Sequence, residues 1–263
     1  MISKNDIHFI RSLSRKQIRE ENQCFIAEGE KTLNDILYSD WEPERILATE
    51  KWLAQYEGIC QKRGVTAELI NEKELGRISQ LTSPNQVLAI VKMKETKALP
   101  ETLEGLNLIL DGISDPGNMG TIIRTADWFG VKHVICSENC ADIYNPKVIQ
   151  ASMGSFLRTR VHYTDIVSFI RNNAKTTPFY ETTTQGESVF TTALNPNACI
   201  VIGSESHGIS QEVSRQITHK ISIPSYSQQT ALQSSVESLN AGVATAIFLA
   251  EFRRQTCIEE REQ

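Results

Sequence analysis

Short apolar runs alternate with stretches of helical period along nearly the whole chain. In residues 4–19, Ile7, Ile10 and Leu13 recur among Lys4, Arg11, Arg15, Lys16 and Arg19, which predicts a basic amphipathic helix. Apolar runs at 24–29, 45–50, 66–70 and 86–93 predict strands. Between them fall helix patterns: EKTLNDILYS with Leu33, Ile36 and Leu37 inward, WLAQYEGICQKRG stopped by Gly64, and NEKELGRISQL capped by Asn71. Such alternation within about 90 residues predicts a small α/β sandwich.

The polar, proline-bearing stretch around Pro100 reads as a linker over 96–106, separating a domain at 1–95 from one at 107–263. Beyond it LNLILDGI (106–113) is almost continuously apolar, the signature of a strand buried on both faces. A turn at Asp115-Pro116-Gly117 is expected next, then a helix beginning at Asn118 or Gly120 and stopped by Gly130. VKHVICS, FLRTRVHY, PFYETTT, ACIVIGSE and HKISIPS predict further strands. Asn145-Pro146, DIVSFIRNNA and ISQEVSRQI predict helices, as does a final stretch at about 237–255 starting at Ser238 or Leu239. Strand–helix alternation of this length implies a parallel sheet covered on both faces.

Composition narrows the class. The 263 residues are 40% hydrophobic and 22% charged, ordinary for a globular protein. No apolar run is long enough to span a membrane, and the basic start lacks a signal-peptide core. The six cysteines form no CxxC pair, which points to reduced thiols in a cytoplasmic protein and to no metal site. A net charge of −5 argues against nucleic acid as a partner, yet residues 1–19 set five basic groups against Asp6 alone.

In parallel sheets ligands gather beyond the carboxyl ends of strands, and three such loops stand out. The first, DGISDPGNMGTIIRTADWFG, carries Asn118 and, among apolar neighbours, Arg124, an arginine that would be costly to bury alone. The second, VIGSESHGIS, has Gly203 at a strand end and Glu205 on its crest. The third runs from Ile223-Pro224 through a Ser/Gln-rich loop to Ser238-Leu239-Asn240 and a small-residue helix, with Asn240 in the first turn. None forms a GxGxxG fingerprint, so a nicotinamide dehydrogenase is not supported.

Together the three loops resemble the ordered motifs of the SpoU (TrmH-like) RNA ribose methyltransferases. Asn118-Met119-Gly120-Thr121-Ile122-Ile123-Arg124-Thr125-Ala126 fits the first, Gly203-Ser204-Glu205-Ser206-His207-Gly208 the second, and Ile223-Pro224 with Ser238-Leu239-Asn240-Ala241-Gly242 the third. Phe25-Ile26-Ala27-Glu28-Gly29-Glu30-Lys31 is similar to part of the family's frequent L30e-like substrate-binding domain. Ser206 stands where the family has glycine, and the 224–238 loop is longer than the family's.

The resemblance implies a SPOUT α/β domain, a parallel sheet with a deep trefoil knot, preceded by the smaller L30e-like α/β sandwich. It implies a homodimer that binds S-adenosylmethionine at Gly203, Ile223 and Leu239 and methylates a ribose 2′-hydroxyl. The RNA partner it points to is ribosomal RNA, because family enzymes acting on tRNA often lack the front domain. Arg124 would activate the hydroxyl, with Asn118, Glu205, Ser238 and Asn240 orienting it and the ribose. Arg11, Arg15 and Lys16 would grip RNA phosphates. The alternatives are a non-catalytic RNA-binding protein that kept the fold and lost the donor, and a tRNA 2′-O-methyltransferase.

Overall fold

A computed structural model describes residues 2–95, 98–100, 103–226 and 238–262, with side chains through 256. Two compact units result: residues 1–95 with Asp142–Leu157, and residues 96–141 with 158–263. Residues 142–157 thus join the first unit although they follow the second unit's opening strands in the chain. Of the expected linker, 96–97 and 101–102 lie outside the described residues.

The first unit runs α1 (Lys4–Ser12), α2 (Lys16–Asn22), β1 (Cys24–Glu28), α3 (Glu30–Leu37), β2 (Pro43–Ala48), α4 (Glu50–Lys62), β3 (Ala67–Leu69), α5 (Glu72–Ile78) and β4 (Val87–Lys92). The sheet order is β1-β4-β2-β3, with β4 antiparallel to both neighbours and β2 parallel to β3. Alternation along β1 sorts its side chains. Cys24 and Ile26 join Ile10, Leu13, Leu75 and Ile78 in one core. Phe25, between them in sequence, meets Trp41, Tyr144 and Phe156 in an aromatic cluster. Two of those rings explain why 142–157 belongs here.

The expected single helix over 4–19 is two. Ser3 and Asp6 form a capping box that starts α1. The chain then breaks at Leu13–Arg15, because the Arg19 guanidinium folds back onto the Leu13 and Ser14 carbonyls, each at 2.8 Å. Arg19 also pairs with Asp142 and is 2% exposed. It is an internal strut, not part of a surface basic stripe.

The second unit holds β5 (Leu106–Asp111), α6 (Pro116–Trp128), β6 (His133–Cys136), β7 (Arg160–Tyr163), α8 (Ile166–Asn173), β8 (Phe179–Ser188), β9 (Ala198–Gly203), α9 (Gln211–Ser214), β10 (His219–Ser222) and α10 (Ala241–Glu262). Helix α7 (Pro146–Ser152), between β6 and β7 in the chain, is the segment that joins the first unit. The six strands lie in the order β10-β8-β9-β5-β6-β7, and every ladder is parallel. All of β5 is buried, its four aliphatic residues together with Asn107, whose amide donates to the Gly105 carbonyl at 3.0 Å, and Asp111. Ile109, Ile135, Cys199 and Val201 share one core with Ile166, Ile170, Val213 and Ile217. Helix α10 lies against α6 and β9.

Local starts differ from the sequence expectation in three places. Asp115-Pro116-Gly117 is not a separate turn: Asp115 caps α6 by accepting the Asn118 N–H at 2.8 Å, and Pro116 occupies the first helical position. Asn240 is not within the first turn of the last helix. It precedes Ala241, and its Oδ1 accepts the Gly242 and Val243 N–H groups at 3.0 and 3.2 Å. The strand read from Phe156 begins at Arg160, after a 3₁₀ turn over Ser155–Leu157.

Among the described residues, no helix is long and apolar enough to cross a membrane, and no group of three or more His, Cys, Asp or Glu side chains could hold a metal ion.

Candidate active site

All three motif loops emerge at the carboxyl edge of the second unit's sheet. Strand β9 ends at Gly203, and its loop folds straight back. Ser204 and Gly208 exchange backbone hydrogen bonds at 3.0 and 2.8 Å, and Gly208 has a φ of +66°. A side chain on Gly203 would collide with the Gly208 backbone, so the fold demands glycine there. Ser206 sits exposed on the crest, where its side chain is accommodated.

Folding back lifts Glu205 to the start of two helices. Its Oε1 accepts from Asn118 Nδ2 at 3.0 Å, from Asn240 Nδ2 at 2.6 Å and from the Ala241 N–H at 3.0 Å. Asn240 Nδ2 also donates to Asn118 Oδ1 at 2.8 Å. The carboxylate thereby meets the positive end of α10, an arrangement that favours the anion. One residue from each motif thus closes a triangle that fixes the β9 loop, α6 and α10 together. The amide groups of Asn240 are spent on this network, so it orients loops rather than substrate.

Gly242 tightens the same junction, since a Cβ there would come within 2.8 Å of the Thr121 methyl on α6. Thr121 was not singled out from the sequence, nor was Asp111. The latter ends β5 and accepts the Ser210 N–H at 2.7 Å, anchoring the far side of the β9 loop. An acid closing an otherwise apolar buried strand was the available signal.

Arg124 lies further along α6 and is exposed, so it carries no burial cost. Among the described residues it has no hydrogen-bond or ion-pair partner, and the triangle does not hold it. Ser238 and Leu239 are also exposed. Of the 224–238 loop, 227–237 lie outside the described residues.

Between Gly203 on β9 and Ile223 just after β10 lies β8, the strand that separates the two in the sheet. Its pairing with β10 jumps from Glu181↔Lys220 to Glu187↔Ile221. The intervening residues leave the ladder, anchored by the Thr182 hydroxyl on the Val201 carbonyl at 2.8 Å. Gly186 makes the return possible, because a Cβ there would sit 2.6 Å from the Ile221 nitrogen. Among the described residues the carboxyl edge is therefore a shelf of glycines and small polar side chains. That donor set suits an adenosine-type ligand held largely by backbone groups, with half-buried Ile223 as its apolar contact.

A crossover parallel sheet whose strand-end loops converge on an Asn–Glu–Asn network beside a glycine-bearing shelf defines an α/β protein with its ligand-binding edge at the strand ends. Residues 105–250 match the SpoU rRNA Methylase family, and residues 4–89 match the MRM3-like substrate binding domain. The chain belongs to the SpoU rRNA methylase family. It is 25% identical to the 23S rRNA (guanosine(2553)-2′-O)-methyltransferase RlmP of Bacillus subtilis, over 92% of this chain and 94% of that one. It is 30% identical to the 23S rRNA (guanosine-2′-O-)-methyltransferase RlmB of Coxiella burnetii, over 71% and 72%. Among solved structures, a TrmH-family protein from Porphyromonas gingivalis is 36% identical with a TM-score of 0.80, covering 97% of this chain and 99% of that one. The AdoMet-bound rRNA methyltransferase from Sinorhizobium meliloti is 26% identical with a TM-score of 0.82, covering 97% of each.

Proposed function

We propose that this protein transfers a methyl group from S-adenosylmethionine to a ribose 2′-hydroxyl of ribosomal RNA. The observation that carries this is the Asn118–Glu205–Asn240 triangle, built from all three family motifs beside the Gly203–Ile223 shelf. Gly203, Ile223 and Leu239 would hold the donor, whose sulfonium makes its methyl group electrophilic. The chain's task is to present the ribose oxygen in line with that methyl. A guanidinium is a poor base and a good donor, so Arg124 serves by hydrogen-bonding the oxygen as negative charge develops. Asn118, Glu205 and Asn240 fix the pitch of α6 and so the position of Arg124; Ser238 lies next to this network in the chain.

Ribosomal rather than transfer RNA is favoured by the extent of the likeness. Relatives named as 23S rRNA enzymes align over 92% and 71% of the chain. In the first unit, Lys4, Ile7, His8, Arg11, Ser12 and Arg15 line an open groove of about 390 Å³. Arg11 and Arg15, with Lys16 beside them, would bind RNA phosphates there. A homodimer is part of the proposal, supported by Leu239 and Val243, apolar and exposed where α10 begins. The deciding experiment maps 2′-O-methyl sites in ribosomal and transfer RNA with and without the gene. Loss of a ribosomal site is expected; an unchanged ribosomal map with a lost tRNA site would overturn the choice of RNA.

A further inference from the structure

Strand β6 ends at Cys136, and in the loop beyond it stands Cys140. A turn closed by the Cys140 N–H on the Ser137 carbonyl at 3.1 Å carries the second cysteine back toward the first. Cys140 Sγ donates to the Leu110 carbonyl at 3.3 Å and lies 3.4 Å from Ser137 Oγ. The Cys136 thiol reaches the same sulfur, and its S–H is the main cause that holds the Cys140 thiol down at about 7. The two are not equivalent, because Cys136 is fully buried and Cys140 is 8% exposed. Both belong to the second unit. Cys24, Cys60 and Cys199 are buried as well, and burial pushes each of these thiols up.

The pair sits beside the first motif loop. The Ser137 N–H donates to the Leu110 carbonyl at 2.9 Å, the Gly112 N–H to Ser137 Oγ at 2.9 Å and the Ala141 N–H to the Ile113 carbonyl at 2.8 Å. These bonds lace the β6 loop to residues 110–113, where Gly112 turns the chain with a φ of +70°. Asp115, just beyond, caps α6 through the Asn118 N–H. Gly112 also faces the β9 loop, since a Cβ on it would lie 3.9 Å from that of Ser204. A shift of Cys140 is therefore passed to the backbone that sets the start of α6 and, with it, Asn118.

We propose that Cys140 and Cys136 form a peroxide-sensitive thiol pair, a modification site whose disulfide displaces the Gly112–Asp115 loop and lowers methyl transfer. In the first step the Cys140 thiolate attacks one oxygen of hydrogen peroxide. An S–O bond forms, the O–O bond breaks and hydroxide leaves with the thiol's proton as water, giving a sulfenic acid on Cys140. In the second step the Cys136 sulfur attacks Cys140 Sγ. The S–S bond forms, the S–O bond breaks, and the departing hydroxide takes the Cys136 proton as a second water. Two thiols and one peroxide thus become one disulfide and two waters, sulfur losing the two electrons that peroxide gains. Exposure sets the order, since peroxide meets Cys140 first and the fully buried Cys136 resolves it. Closing the bond takes Cys140 Sγ from the Leu110 carbonyl, to which its lost hydrogen was donated. The loss of activity rests on the proposed methyl transfer; the thiol chemistry does not.

Both cysteines fall on one tryptic peptide, residues 133–147. After brief treatment of the full-length protein with hydrogen peroxide, mass spectrometry should show that peptide short of two hydrogens, which dithiothreitol restores. Cys24, Cys60 and Cys199 should remain free for alkylation once the protein is unfolded. Methyl transfer should fall at least about tenfold and recover on reduction, because misplacing a positioned group by about 1 Å can cost about a hundredfold. Cys136→Ser should keep the rate of the reduced enzyme and stop oxidation at the sulfenic acid, trapped on Cys140 by dimedone. A wild-type peptide that keeps both thiols, or that gains oxygen on Cys140 with Cys136 still free, would overturn the pair. A disulfide with unchanged methyl transfer would overturn its coupling to the loop. Failure of the reduced wild type to methylate any RNA would instead overturn the functional reading, and the mass of the peptide would still decide the thiol chemistry.

Discussion

Glu205 Oε1 accepts the backbone N–H of Ala241 at 3.0 Å, so the crest of the β9 loop caps a helix that begins 36 residues later. The same oxygen binds the side chains of Asn118 and Asn240. Glu205→Ala removes a common acceptor for three donors at an exposed junction. The expected outcome is a melting temperature lowered by only a few degrees, roughly 1 kcal/mol, with methyl transfer reduced at least about tenfold. Thermal unfolding and turnover measured on one preparation check the split. Equal loss of folding and activity would count against a positioning role.

Arg124 is the exposed cation of α6 that the triangle leaves free. Arg124→Ala should lower kcat by about 10²–10³, the usual cost of removing one donor to a developing oxyanion. Affinity for S-adenosylmethionine, measured by calorimetry, should stay within about twofold. Arg124→Lys keeps the charge but not the planar fork and should recover only part of the rate. Wild-type turnover in the alanine variant would remove Arg124 from the chemistry.

Gly242 faces the Thr121 methyl, and a Cβ there would approach to 2.8 Å. Gly242→Val should therefore push α10 from α6, disturb the Asn240–Asn118 bond at 2.8 Å and lower activity. Overpacking of this kind costs about 1–3 kcal/mol. Shortening the contact with Thr121→Ser in the same chain should restore part of both stability and rate.

Legibility from sequence followed the range of the forces involved. The strands of the second unit could be read because β5, β9 and β6 are buried on both faces and so mainly apolar, with Asn107, Asp111 and His133 as polar exceptions. The three loops could be read because each has glycine or asparagine where backbone geometry demands it, as at Gly203 and Gly208. What could not be read was set by contacts distant in the chain. Arg19 looked like one more surface cation, and only its bonds to the Leu13 and Ser14 carbonyls and Asp142 make it internal. Residues 142–157 looked like part of the second domain, and only the rings of Tyr144 and Phe156 against Phe25 tie them to the first unit.

Arg19 and Arg15, four residues apart, should behave oppositely. Arg19→Ala takes the cation from Asp142, which keeps only the Tyr144 N–H at 3.1 Å, and the donor from two carbonyls; breaking such a pair costs about 3–5 kcal/mol. Arg11→Gln with Arg15→Gln should leave stability nearly unchanged and weaken RNA binding, lowering the slope of log K against log salt by about 1.4, or 0.7 per charge. Lys16, already 3.7 Å from Glu20, should contribute less. Chemical denaturation and salt-dependent RNA titration separate these effects.

His133 and His162 form a buried pair, Nδ1 to Nε2 at 3.1 Å, with their rings stacked. Burial, and then the charges of His162, Arg160 and Lys132, hold His133 below its ordinary value of 6.5. The unfolded chain therefore takes up this proton at a higher pH than the folded one. Stability from the site is complete above pH 6.5 and falls as the pH drops below it, by at most about 1.4 kcal/mol per pH unit. Thermal unfolding at pH 7.5 and 5.5 should show the wild type losing stability across a window where histidine is the main titrating side chain. His133→Gln, which stays neutral and can still hydrogen-bond His162, should lose less. If the variant and the wild type fall in parallel, the pH dependence originates elsewhere in the chain.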